Sequence, residues 1–91
     1  MGMIKAKKDF ILYKMIDDYM IIAVGDSSNS FRAILKTNET GAFYWQMLKE
    51  GTTREEMLRA ALNRYEDLDE NIAMQDIDEF LENVAPAIEF D

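Results

Sequence analysis

The strongest constraint on what this chain can fold into is a change of apolar period inside one stretch, "FRAILKTNETGAFYW", residues 31–45. Up to Lys36 the residues alternate as a strand does, with Phe31, Ala33 and Leu35 set against Arg32, Ile34 and Lys36. Beyond Thr40 the spacing is helical, with Ala42, Trp45 and Leu48 in a stripe flanked by Tyr44 and Met47 and ending at Gly51. Between the two halves, Asn38 has the side-chain chemistry of a helix N-cap. A strand must therefore end where a helix begins, within a few residues.

Before this switch the same two-residue period recurs. "DFILYKM" (9–15) puts Phe10, Leu12 and Lys14 on one face and Ile11, Tyr13 and Met15 on the other. Asp17 and Asp18 make a turn, and "YMIIAV" (19–24) is apolar on both faces, as a central strand is. "GDSSNS" (25–30) is a dense turn signal ahead of the third strand, residues 31–36. After the switch the period stays helical. Thr52 and Glu55 have capping-box spacing, and Met57, Leu58, Ala61, Leu62 and Tyr65 form the buried stripe of a second helix. A third helix starts near Asp69, carries Ala73, Ile77, Phe80, Leu81 and Val84, and is ended or kinked at Pro86. The closing "AIEF" either adds a short strand or packs. The order predicts an α+β fold: a three-stranded antiparallel sheet followed by a three-helix bundle. Residues 1–8, short and basic, read as a flexible N-terminal arm, and 9–91 as a single domain.

Composition narrows the chemistry. At 91 residues there is one modest core. The chain has neither His nor Cys, which excludes Ser-His and Cys-His nucleophile pairs, disulfides and the usual zinc ligands. The acidic run Glu66, Asp67, Asp69 and Glu70 lacks the spacing and glycine of a calcium loop. Asp76, Asp78, Glu79 and Glu82 are spread along one polar helix face, as a solvated surface is. No enzyme, cofactor or metal is expected. No apolar run is long enough to cross a bilayer and there is no signal-peptide core, so no membrane partner and a cytoplasmic location are expected.

Three kinds of binding module fit such a fold: an edge that takes an extended peptide, a winged-helix nucleic-acid binder, and a structural homodimeric subunit. Charge speaks against nucleic acid. Residues 1–36 carry net +2 and residues 37–91 net −10, and residues 69–84 hold six carboxylates and no Lys or Arg. The third strand speaks for an edge. Arg32 and Lys36 bracket Ile34, and such charges either keep sheets from joining or orient an acidic peptide laid alongside. Both readings put residues 31–36 at an exposed edge.

Residues Asn38, Glu39, Thr40, Gly41 and Ala42, then Trp45, Met47, Leu48 and Gly51, resemble the family of pyrroloquinoline quinone biosynthesis protein D (PqqD), whose members are also precursor-peptide recognition elements. The helix from Thr53 to Tyr65 and the pair Phe80-Leu81 fall in register, so the resemblance covers residues 9–90. It departs at Thr37, where the family usually has an apolar residue, and at Pro86, where related chains continue the last helix. The resemblance implies a winged-helix-like fold and a peptide chaperone. Such a protein binds the leader of a ribosomally made precursor peptide and presents it to a modifying enzyme, often a radical S-adenosylmethionine protein. Carried over to this chain, the leader would add along Phe31, Arg32, Ala33, Ile34, Leu35 and Lys36. Its side chains would enter a groove walled by Met74, Ile77, Asp78 and Leu81. The resemblance leaves open the precursor, the enzyme, the final product and whether the protein is a homodimer.

Overall fold

A computed structural model describes residues 2–24 and 32–90, and of residues 32–34 it describes the backbone. The expected turn at 25–30 and the first residue of the expected third strand, Phe31, lie outside the described residues. The elements run β1 (Ile4–Ala6), β2 (Phe10–Lys14), β3 (Tyr19–Ala23), β4 (Arg32–Thr37), α1 (Glu39–Glu50), α2 (Arg54–Arg64), α3 (Glu70–Asn83), a 3-10 turn (Ala85–Ala87) and β5 (Ile88–Phe90). The expected α+β arrangement holds: an antiparallel sheet ordered β2-β3-β4 is followed by three helices.

The sheet is a meander because short links join its strands. Leu12 pairs with Ile21, and Ile21 with Leu35, so one row of apolar side chains crosses all three strands. Ile21 is fully buried, and Phe10, Leu12 and Leu35 pack against the core beside it. On the other face, Ile11 and Tyr13 are exposed. The β3–β4 register slips midway: Ile21 faces Leu35 but Ile22 faces Ala33, so Ile34 is an extra residue without a cross-strand partner. The slip breaks the simple alternation expected for this strand. Arg32 pairs with Ala23, in the row of Phe10, whereas Lys36 pairs with Met20, in the row of Tyr13. The register shift thus falls between Arg32 and Lys36, so the regular alternation expected over 31–36 does not run unbroken through this strand.

The helices bury the predicted stripes. Tyr44, Trp45 and Leu48 of α1, Met57 and Ala61 of α2, and Ala73, Ile77, Phe80 and Leu81 of α3 are buried, as is Val84 just beyond α3. Asn38 caps α1 through Oδ1, which accepts from the Gly41 amide at 2.9 Å. Gly51 closes it with φ at +92°, a conformation other residues adopt at a cost. The cap of α2 sits one residue later than expected. Thr53, not Thr52, accepts from the Glu56 amide, while Thr52 Oγ1 donates to the Glu56 carboxylate at 3.1 Å. α3 ends at Asn83, ahead of Pro86.

The N-terminal end differs from expectation, while the closing segment takes the short strand that was one of its two expected forms. Within the expected arm, Ile4–Ala6 form β1, antiparallel to β5. Ile4 also bridges to Thr52, its N–H donating to the Thr52 carbonyl at 2.7 Å and its carbonyl accepting from the Thr52 N–H at 2.9 Å. Ile4 is 4% exposed and belongs to the main core. A three-residue strand is too short to show a period, so only its pairing across the fold reveals it.

Two outcomes are expected from these contacts. Ile4→Ala should lower the unfolding free energy in urea by about 2–4 kcal/mol, the cost of a large-to-small change in a packed core; an unchanged midpoint would return residues 1–8 to the status of an arm. At Gly41 an added Cβ would run into Thr37 Oγ1 and sit 2.9 Å from Thr37 Cβ. Gly41→Ala should therefore lower the melting temperature: overpacking costs about 1–3 kcal/mol, against at most about 1 kcal/mol gained in helix propensity. Adding Thr37→Ala should recover part of the loss.

Candidate functional site

The site begins at the edge of the sheet. β4 pairs with β3 on one side, and among the described residues no strand pairs with its other side. An unpaired strand margin exposes backbone N–H and C=O groups in a row. Beyond the last residues of β4 lies a cleft of about 300 Å³, lined by Leu35, Lys36 and Thr37 of the strand, Thr40, Gly41 and Tyr44 of α1, and Asp76, Glu79, Phe80 and Asn83 of α3.

Local sequence explains this geometry. The Asn38 cap turns the chain from extended to helical in one residue, and Gly41 lets the first turn of α1 approach Thr37. Tyr44 then falls one turn further along, where its ring packs on Phe80 with centroids 5.7 Å apart. These two rings form an apolar floor between the strand end and α3. Burial first, and then the nearby charge of Asp76, push the Tyr44 phenol above its ordinary range, so it remains a neutral hydrogen-bond donor at physiological pH.

The predicted strand residues and the predicted helix residues do not all meet here. Leu35 and Lys36 line the cleft. Ile77 and Leu81 are buried in the core. Met74 and Asp78 face α2: the Arg54 guanidinium makes a two-pronged contact with the Asp78 carboxylate, at 2.8 and 2.9 Å, and reaches Met74 Sδ at 3.3 Å. The side of α3 that lines the cleft is instead Asp76, Glu79, Phe80 and Asn83, spaced three and four residues apart on one flank of the buried stripe. In the sequence alone, Asp76 and Glu79 are indistinguishable from the rest of a solvated acidic face.

The charge of the cleft also departs from expectation. Lys36 is satisfied within the chain by Asp18, at 3.3 Å across the turn between β2 and β3. Asp76 and Glu79 have no ion-pair partner among the described residues. The wall is acidic, so an acidic peptide would be repelled from this end of the strand rather than oriented by it.

Among the described residues no group of His, Cys, Asp and Glu is arranged to hold a metal ion, and no helix is long and apolar enough to cross a membrane. Comparison with curated proteins and with solved structures finds no match. Comparison with protein families matches residues 26–85 to coenzyme PQQ synthesis protein D (PqqD). The matched segment holds β4, all three helices and every residue lining the cleft. It spans well over half of the chain, and on that match the chain belongs to the PqqD family.

Proposed function

We propose that this protein is a non-catalytic peptide-binding adaptor. It takes up the leader segment of a ribosomally made precursor peptide by strand addition to β4 and presents the remainder to a modifying enzyme of the radical S-adenosylmethionine type. The observation that carries this reading is the free margin of β4 opening beside a cleft between the strand and α3. An extended backbone laid there completes the ladder, and alternate side chains drop into the cleft. The family's description places its members in coenzyme PQQ synthesis, a role that fits an accessory protein lacking His and Cys.

The docking strip is Phe31, Arg32, Ala33, Ile34, Leu35 and Lys36, with Thr37 at its end. Phe80, Tyr44 and Leu35 supply the apolar contact, while Asp76, Glu79 and Asn83 form the far wall. Ile77 and Leu81 hold α3 in place from beneath, and Met74 and Asp78 fix it to α2 through Arg54. A nucleic-acid ligand is disfavoured, because α3 presents carboxylates and no Lys or Arg.

The test uses a synthetic leader from a precursor encoded beside this chain. Saturating leader should slow hydrogen exchange of β4 amides whose N–H groups point away from β3, and leave the outer margin of β2 unchanged. N-methylation of the leader at alternate residues should weaken binding in an alternating pattern, since only every second peptide amide faces β4. Binding without protection in β4, or equal tolerance of every N-methyl group, would move the site elsewhere. A concentration-dependent dimer that buries β4 and excludes the leader would favour a structural subunit.

A further inference from the structure

The cleft beside β4 does not stop at α3. A second and larger cavity of about 840 Å³, lined by Thr40, Tyr44, Tyr65, Asp67, Leu68 and Asp76 among others, shares three residues with the first: Thr40, Tyr44 and Asp76. The two spaces adjoin at these residues, the first lying at the end of β4 and the second at the link between α2 and α3. Tyr44 is 3% exposed and lines both parts, and its hydroxyl has no hydrogen-bond partner among the described residues. A phenol oxygen at the wall of a cavity, engaged by no neighbour, is open to bond a polar group that enters the space.

The surrounding charge says what that is. Around the two cavities the carboxylates of Asp76, Glu79, Glu66 and Asp67 have no ion-pair partner among the described residues. The two basic residues at their margins are already engaged. Lys36 contacts Asp18, and the Arg64 guanidinium lies over the Phe43 ring, 4.7 Å from its centroid, with Glu39 at 3.8 Å. The floor is aromatic, from Tyr44 and Phe80. A long side chain with an apolar stem and a cationic head matches all three features: the stem lies on the rings, and the head sits between the phenol oxygen and the carboxylates.

We infer that the cleft at the end of β4, where Glu79 stands beside the Tyr44 and Asp76 that it shares with the second cavity, is a specificity subsite for a Lys or Arg side chain of the peptide added to β4. This rests on the strand-addition reading, and it sets the chemistry of the peptide: basic where it passes the end of β4, not acidic. Tyr44 would accept a hydrogen bond through its hydroxyl oxygen, and the carboxylates would supply the charge.

A randomised peptide library displayed on phage, long enough to span β4, tests this without knowledge of the natural leader. Selection on the wild-type protein should enrich Lys or Arg at one fixed position. A selected peptide with that residue changed to norleucine should bind about ten- to 150-fold more weakly, the loss typical of a charge-assisted hydrogen bond. The Asp76→Asn, Glu79→Gln double variant should bind the parent peptide and its norleucine form equally, and Tyr44→Phe should narrow the difference. Amide exchange in β4 with the same peptide separates the two claims. Protection of β4 without a basic preference, or a preference that survives the double variant, overturns the subsite and leaves strand addition standing. Selected peptides that leave β4 unprotected overturn both.

Discussion

The junction between β4 and α1 governs the rest of the structure. Three features act within seven residues: the Asn38 side chain accepts from the Gly41 amide, the missing side chain of Gly41 admits Thr37, and Leu35 is held in the core row by Ile21. Together they fix the angle at which the last strand meets the first helix. That angle places Tyr44 against Phe80, and with it the distance between the free margin of the sheet and α3. A bulky residue at position 41 would push α1 off the strand and change the floor of the cleft, without touching any residue that a peptide would contact.

From this one geometry follow both the openness of the edge and its selectivity. The apolar row from Leu12 through Ile21 to Leu35 makes β4 part of the folded sheet, so its outer margin is presented on a scaffold rather than on a loose segment. The bulge at Ile34 interrupts the ladder with β3 and increases local twist, which discourages two flat sheets from joining edge to edge. Charge is arranged around that margin by pairing. Asp18 engages Lys36 and Arg54 engages Asp78, which among the described residues leaves Asp76 and Glu79 as the net field at the strand end. Each of these pairs is exposed and worth little in stability. Their consequence is which charges remain uncompensated.

Much of this was legible in the sequence. The switch of period at Thr37 to Thr40, the Asn38 cap, the Gly51 stop and the apolar stripes identify three strands and three helices in order, because each rests on local chemistry. Two things were not legible, for different reasons. β1 is three residues long and exists through its pairing with β5 at the other chain end, with Ile4 held by Thr52; a short strand at β5 was one of two readings of its residues, but no local pattern encodes a contact over that separation. For α3, periodicity finds the buried stripe of Ile77 and Leu81 but not which flank of it turns toward the sheet. Met74 and Asp78 lie on the flank claimed by Arg54, and Asp76, Glu79 and Asn83 on the other. The bulge at Ile34 has no glycine or proline to announce it.

The most direct test of the central claim is an isotope-filtered NOE measurement on labelled protein with an unlabelled leader peptide. The account predicts cross-strand contacts between peptide α-protons and those of β4, continuing as side-chain contacts to Tyr44 and Phe80. Peptide contacts confined to the exposed face of β2 around Ile11 and Tyr13, with none to β4, would contradict it.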